Sequence, residues 1–311
     1  MGRSHGSGLG RLRAVLYRVL LLAVCGWAVA WAASGIRVDA DRIARGLPAI
    51  GRILKLMFPL QVGPESAPWL AVAAAGAAGV TALEAARRRR WPVLGTVLLG
   101  VVVLYAVADR EWLGPAVLAT GQSLAIALMG TTVGALLALP LGFWAARNMV
   151  VYGVVAALAR QLLNAVRTFP EIILAVFFVA AYGPGPLAGV MAVGLHSIGM
   201  LAKLYADVIE NIDRGPIEAL TAAGASPLET VWFAVIPQVL PEFIASALYR
   251  FEINMRSATT LGLVGAGGVG VILLQALSFR RWPVVGTALL VIVLTVTAID
   301  SASAWLRRRI I

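Results

Sequence analysis

Apolar runs long enough to cross a membrane, ended by arginines or by proline and glycine, leave this chain few ways to fold. Residues 14–33 are apolar over the ~20 positions a helix needs to span the hydrocarbon core. Comparable runs occupy residues 69–86, 91–108, 115–146, 150–182, 187–212, 243–270 and 283–306. Lipid offers no partner to a peptide group, so each run is expected to pair its backbone internally as a helix. The expected fold is all-α, an integral membrane protein of about eight spans. With 60% hydrophobic and 13% charged residues, the chain is excluded from the soluble class.

Charge sets the expected orientation. The net charge of +11 comes from arginines at the ends of the runs, not from a basic stripe interleaved with aromatics, so topology explains it better than nucleic acid does. Residues 1–13 read as a cytoplasmic tail containing His5, and residues 14–33 as a retained first span with Arg18 near its inner end and Trp27 and Trp31 near its outer one. In the external segment 34–66, Ile43, Leu47, Ile50, Leu54 and Met57 recur near helical spacing among basic residues, which predicts two short interfacial pieces broken at Pro48. Residues 67–108 form an additional hairpin turning at Arg87–Arg90, and a core follows over 115–311. Both termini are expected in the cytoplasm. Cys25 is the only cysteine, so an intrachain disulfide or a cysteine-based metal cluster is impossible.

Within the core, Gly121, Gly130, Gly134 and Gly142 suggest close helix packing, Pro170 a kink, and Gly183–Pro186 a tight outer turn. The segment 213–241 is different, a water-facing bend between spans. Pro216 suits a first helical position, Gly224 the residue past a helix end, and Ser226-Pro227-Leu228-Glu229 a capping box. Two short helices meeting at Gly224 are predicted, with Val231, Trp232, Val235 and Ile236 as an apolar side for a partner.

This segment resembles the cytoplasmic coupling loop of ABC importer permeases, whose signature runs Glu-Ala-Ala, three residues, Gly, nine residues, Ile, any residue, Leu-Pro. Glu218, Ala219 and Gly224 match, while Leu220, Ala234 and Ile236-Pro237 depart conservatively. Flanking stretches at 199–205, 237–238, 248–254 and 261–268 are similar to the phosphonate-transporter permease family. The resemblance covers the chain from Gln122 onward. It implies a type I core of five helices, assembled as a homodimer with two cytoplasmic ABC ATPase subunits and an external phosphonate-type binding protein, in a bacterial inner membrane. It also implies coupling through Glu218, Ala219, Gly224, Ala225, Ser226 and Pro237, with ATP and Mg²⁺ used by the partner ATPase and no cofactor on this chain.

Gly265-Ala266-Gly267-Gly268-Val269-Gly270 fits G-x-G-x-x-G but follows an apolar helical run and lacks a βαβ context and a P-loop lysine. Nucleotide binding is therefore rejected. Gly265, Gly267 and Gly268 are expected to break a pathway-lining helix or act as a gate, with exposed amides as a weaker anion site. Ionisable residues inside spans are Arg167, Glu171, His196, Lys203, Asp207, Glu252 and Arg256. Lys203–Asp207 and Glu252–Arg256 stand at i,i+4, so mutual neutralisation competes with a substrate role for the two cations. His196, Lys203, Asn254, Arg256 and Arg167 are the candidate pathway residues; for His196 an interhelical hydrogen bond is favoured. With no second histidine in a span, no catalytic or metal site is expected. Two other classes compete with the importer: an ion-coupled secondary transporter, which would commonly show inverted repeats, and a membrane enzyme acting on lipid phosphates, which would need a clustered acid–base or metal site.

Overall fold

The computed structural model describes residues 16–27, 30–31, 40–59, 67–86, 93–149 and 153–310. The chain divides into two compact units, Met1–Leu54 and Lys55–Ile311. The expected tail 1–13 and the arginine turn Arg87–Arg90 lie outside the described residues.

In the first unit, helix α1 (Leu16–Trp27) is apolar and exposed on every side, the pattern of a helix whose solvent is lipid. Helix α2 (Ala40–Met57), whose last three residues belong to the second unit, is one continuous helix with Pro48 inside it, not the two pieces expected. Proline's fixed φ is helical, so Pro48 removes one backbone hydrogen bond without forcing a break.

The second unit contains helices α3 (Ala67–Ala86), α4 (Val93–Val107), α5 (Arg110–Ala145), α6 (Gly153–Thr168), α7 (Glu171–Tyr182), α8 (Pro186–Glu210), α9 (Gly215–Ala222), α10 (Pro227–Thr230), α11 (Ile236–Leu261), α12 (Val269–Ser278) and α13 (Trp282–Ile310). By length and composition, α5, α8, the continuous run Pro227–Val264 and α13 can each cross a membrane. The α6–α7 pair passes the same test jointly but is bent by 83°. The remaining expected spans fall on the shorter apolar helices Leu16–Trp27, Leu70–Thr81 and Val97–Val107.

Close packing of α5 on α8 sets the core. A Cβ added to Gly130 would meet Val193 at 2.7 Å, one on Gly134 would meet Ser197 at 2.6 Å, and one on Gly142 would meet Tyr205 at 2.8 Å. Residue numbers rise together along both helices, so α5 and α8 are parallel. The chain between them must then return across the bundle, and the bent α6–α7 pair is the element that carries it. Gly121 is the exception among the expected packing glycines, with open space where a side chain would go.

Helix α11 runs against both α5 and α8. Near its start Phe243 stacks on Tyr205 at 4.1 Å between ring centroids, and further along Asn254 reaches Thr131 and Ser197. Helix α13 then runs back along α11, pairing Asp300 with Arg256 and Arg307 with Glu252. Five traverses result, and the turn after α5, the α9–α10 bend and the arginines closing α13 lie toward one end of the bundle.

Candidate functional site

The segment after α8 forms a bend with both of its ends fixed. Gly224 takes φ 85°, a left-handed conformation that glycine adopts without a Cβ penalty. Ala225 N–H donates to Leu220 O at 3.0 Å and Gly224 N–H to Thr221 O at 3.0 Å, a Schellman end that satisfies the last carbonyls of α9. Ser226 then starts α10: its hydroxyl accepts from Glu229 N at 3.4 Å while Glu229 Oε2 accepts from Ser226 N at 2.7 Å. The 38-residue run from Pro227 is ~57 Å long at roughly 1.5 Å per residue, so its first turns project beyond a ~30 Å hydrocarbon core. There, the hydrogen bonds from Ser226 hold the Glu229 carboxyl below its usual pKa.

Beyond the capping box the structure differs from expectation. The second helix is not a separate short piece: a π-helical turn, Val231–Val235, joins α10 to α11. The extra residue in that turn rotates the apolar faces. Val235 is buried against the core, whereas Leu228, Trp232 and Phe233 point outward, with Phe233 72% exposed. The base of the bend is held by Gln238, whose side chain accepts from Asp213 N at 3.0 Å and donates to Ala234 O at 2.7 Å. Asn148 Nδ2 ties the neighbouring turn to Ile209 O at 2.8 Å. These side chains, together with exposed Glu218 and Ala219, partly buried Ala225 and exposed Pro237, make a stiff platform. A concavity of about 500 Å³ lies between Asn148, Glu218 and Val231.

Deep in the bundle the α6–α7 break meets α8 and α11. Phe169 O lies 3.2 Å from His196 Nδ1, and Glu171 Oε1 lies 3.4 Å from His196 Nε2. The same carboxylate accepts from Arg250 Nη2, and both partners are largely buried. Arg250 Nε reaches Ser197 Oγ at 3.5 Å, Asn254 Nδ2 donates to Ser197 Oγ at 2.8 Å and to Thr131 Oγ1 at 2.7 Å, and Asn254 Oδ1 is buried with no hydrogen-bond partner among the described residues. His196 thus contacts the α6–α7 break through Phe169 O and Glu171. Asn254, expected on the pathway, is fully enclosed where α5, α8 and α11 meet.

Charges in the spans are paired across helices more than along them. Lys203 Nζ meets Asp207 at 3.5 Å as the spacing suggests. Glu252 and Arg256 do not pair with each other: Arg307 Nη1 takes Glu252 at 2.7 Å, and Arg256 Nη2 reaches both oxygens of Asp300 at 2.9 and 2.8 Å. Helix α13 supplies both opposite charges within reach, so the i,i+4 attraction is outcompeted. No carboxylate pairs with Arg167 among the described residues, although it lies beside Gly199 at the same break. The partner that sequence reasoning missed is Arg250. Its position inside an apolar run signals that a buried anion must face it, and Glu171 is that anion.

The glycine break is present. Helix α11 tightens into a 3₁₀ turn at Gly262–Val264, and Gly265, Gly267 and Gly268 take φ of 86°, 83° and 77° before α12 begins. The amides suggested as an anion site are occupied: Gly268 N–H donates to Gln122 Oε1 at 2.9 Å and Val269 N–H to Ser123 Oγ at 3.0 Å. Gly185 N–H donates to Gly265 O at 2.9 Å, tying the Gly183–Pro186 turn to the break.

A bundle of five traverses with an interrupted second crossing, interior charges that are mostly paired and a rigid platform beyond one face is the architecture of a membrane transport subunit. The chain belongs to the family described as binding-protein-dependent transport system inner membrane component, which matches residues 138–311. It is a multi-pass inner-membrane permease component and not an enzyme in its own right. It is 44% identical over 199 residues to the phosphite transport system permease protein PtxC of Stutzerimonas stutzeri, covering 64% of this chain and 71% of that protein. It is also 44% identical over 193 residues to the phosphate-import permease protein PhnE of Mycolicibacterium smegmatis, covering 62% of this chain but only 36% of that protein. A chain of the MetNI methionine ABC transporter, solved in an inward-facing form, shares the fold: TM-score 0.56 and 24% identity, over 65% of this chain and 99% of that one.

Proposed function

We propose that this chain is the pathway-forming subunit of an ATP-driven importer for a phosphorus oxyanion of the phosphite, phosphonate or phosphate class. The observation that carries the coupling role is the platform itself. Exposed Leu228, Trp232 and Phe233 stand beside Glu218 on a bend locked by a Schellman end and a capping box, a stiff apolar surface able to transmit a partner's motion. A cytoplasmic ATPase docking there would shift the permease between inward- and outward-facing states only through its different contacts with the two. ATP and Mg²⁺ belong to that partner, and this chain binds no cofactor. The substrate class rests on the names of the two relatives, with discrimination among oxyanions left to an external binding protein.

A second copy is the proposed other half of the pathway. The bound charges of Lys203, Arg250 and Arg256 leave Arg167, at the α6–α7 break, as the leading cation for a passing anion. The glycine break before α12 would serve as the hinge of the gate. Co-expression with a candidate ATPase and purification test this reading. A stable complex whose ATPase rate rises with binding protein loaded with phosphite, a phosphonate or phosphate is expected, and Gly224→Asp, placing a charge on the docking bend, should uncouple it. Failure to capture an ATPase, or unchanged coupling in Gly224→Asp, would overturn it.

A further inference from the structure

Helices α5, α11 and α13 diverge to leave an open groove of about 550 Å³, walled by Leu128, Leu136, Ile244, Phe251, Trp305 and Leu306. Its volume is that of a ligand site, roughly 300–1,000 Å³. Thr131 and Thr132 also line it, but their hydroxyl protons are spent on their own helix, donating to Ala127 O at 2.6 Å and Leu128 O at 2.8 Å. The wall is therefore hydrocarbon in character along its length.

One end of the groove is different. Three consecutive arginines close α13 and take three courses. Arg307 turns to Glu252. The Arg309 guanidinium lies 4.2 Å from the centroid of the Trp305 ring, and that ring is itself a wall of the groove. Arg308 is exposed, and no carboxylate pairs with Arg308 or Arg309 among the described residues. An apolar slot whose end wall is an indole carrying one guanidinium, with a second exposed arginine at the same helix end and neither paired with a carboxylate among the described residues, matches an amphiphile whose head carries net negative charge. The positive-inside rule places this arginine-rich end at the cytoplasmic leaflet.

We propose that this groove binds an anionic phospholipid of the inner leaflet, one acyl chain lying between α5, α11 and α13 and the phosphate meeting Arg308 and Arg309. A zwitterionic lipid would fill the slot equally well, but the cation in its own headgroup offsets the charge its phosphate offers to the arginines. A second copy docked groove to groove would bring its own Arg308 and Arg309 against these, and like charges facing each other oppose such contact.

Native mass spectrometry of the full-length chain in mild detergent, titrated with an equimolar mixture of phosphatidylglycerol and phosphatidylcholine, tests the site. The unaltered chain should retain phosphatidylglycerol over phosphatidylcholine by roughly fivefold or more. R308Q/R309Q, a change of exposed side chains, should abolish the preference while leaving the thermal unfolding profile unchanged. Ala247→Phe, which fills the groove, should lower retention of both lipids. Equal retention by the unaltered chain, a preference that survives R308Q/R309Q, or full retention in Ala247→Phe would overturn the proposal. So would a spontaneous disulfide between two copies of Ala302→Cys in a Cys25→Ser background, which would put a second copy where the lipid is proposed.

Discussion

Arg250 and Glu171 show how a single residue pair can fix a break in a membrane helix. The 83° bend after Thr168 exposes peptide groups at mid-bundle, and Glu171, at the start of α7, is pinned there by Arg250 from α11 and His196 from α8. Removing one member of a buried pair leaves the other uncompensated, at a cost of roughly 3–5 kcal/mol, whereas removing both is far milder. Arg250→Gln is accordingly expected to lower the thermal unfolding midpoint in detergent sharply. The double substitution Arg250→Gln with Glu171→Gln should recover most of that loss, and the double-mutant cycle measures the coupling. Equal and additive effects of the two single changes would show that the pair does not act as a unit.

Helix packing in this protein was legible in sequence only where a residue type permits one geometry. Pro216, Gly224 and the Ser226–Glu229 box defined the bend because each suits one position at a helix end: Pro216 has no N–H to leave unpaired in a first turn, Gly224 takes the left-handed φ past a helix end, and the box satisfies free backbone amides. The π turn at Val231–Val235 was not legible, since the same apolar residues suit an α-helix equally well and only the packing of Val235 into the core selects the extra residue. The same ambiguity affected the glycines of α5: four looked alike, and the structure separates them by what lies opposite. Gly134→Val would drive its side chain into Ser197 and Gly194, and overpacking of this kind costs about 1–3 kcal/mol. Gly121→Val meets open space. Detergent-solubilised yield and unfolding midpoint should fall for Gly134→Val and stay near the parent for Gly121→Val; a reversal of that order would refute the assigned α5–α8 register.

Across the whole molecule, charge balance bears most directly on transport. A fixed charge in a span is tolerated when it is paired, and the core meets that condition by joining α11 to α13, α7 to α11, and Lys203 to Asp207 within α8. Sequence spacing could not distribute these partners, because a carboxylate on a distant helix competes equally with one four residues away. Cations already neutralised within one subunit offer a passing oxyanion little, while two copies of the permease would contribute two Arg167 side chains to one pathway. Transport requires attraction weak enough to release its cargo, and an incompletely compensated guanidinium at a helix break meets that requirement better than a buried pair. Arg167→Gln is therefore expected to reduce uptake of phosphite or phosphate at least ~10-fold, the effect of losing about 1.4 kcal/mol of favourable interaction, with ATPase capture and basal ATPase rate preserved. Arg167→Lys should retain part of the activity, since the charge remains while the planar fork is lost. Normal uptake by Arg167→Gln in an intact complex would assign the pathway's anion contacts to other groups and return Arg167 to a packing role beside Gly199.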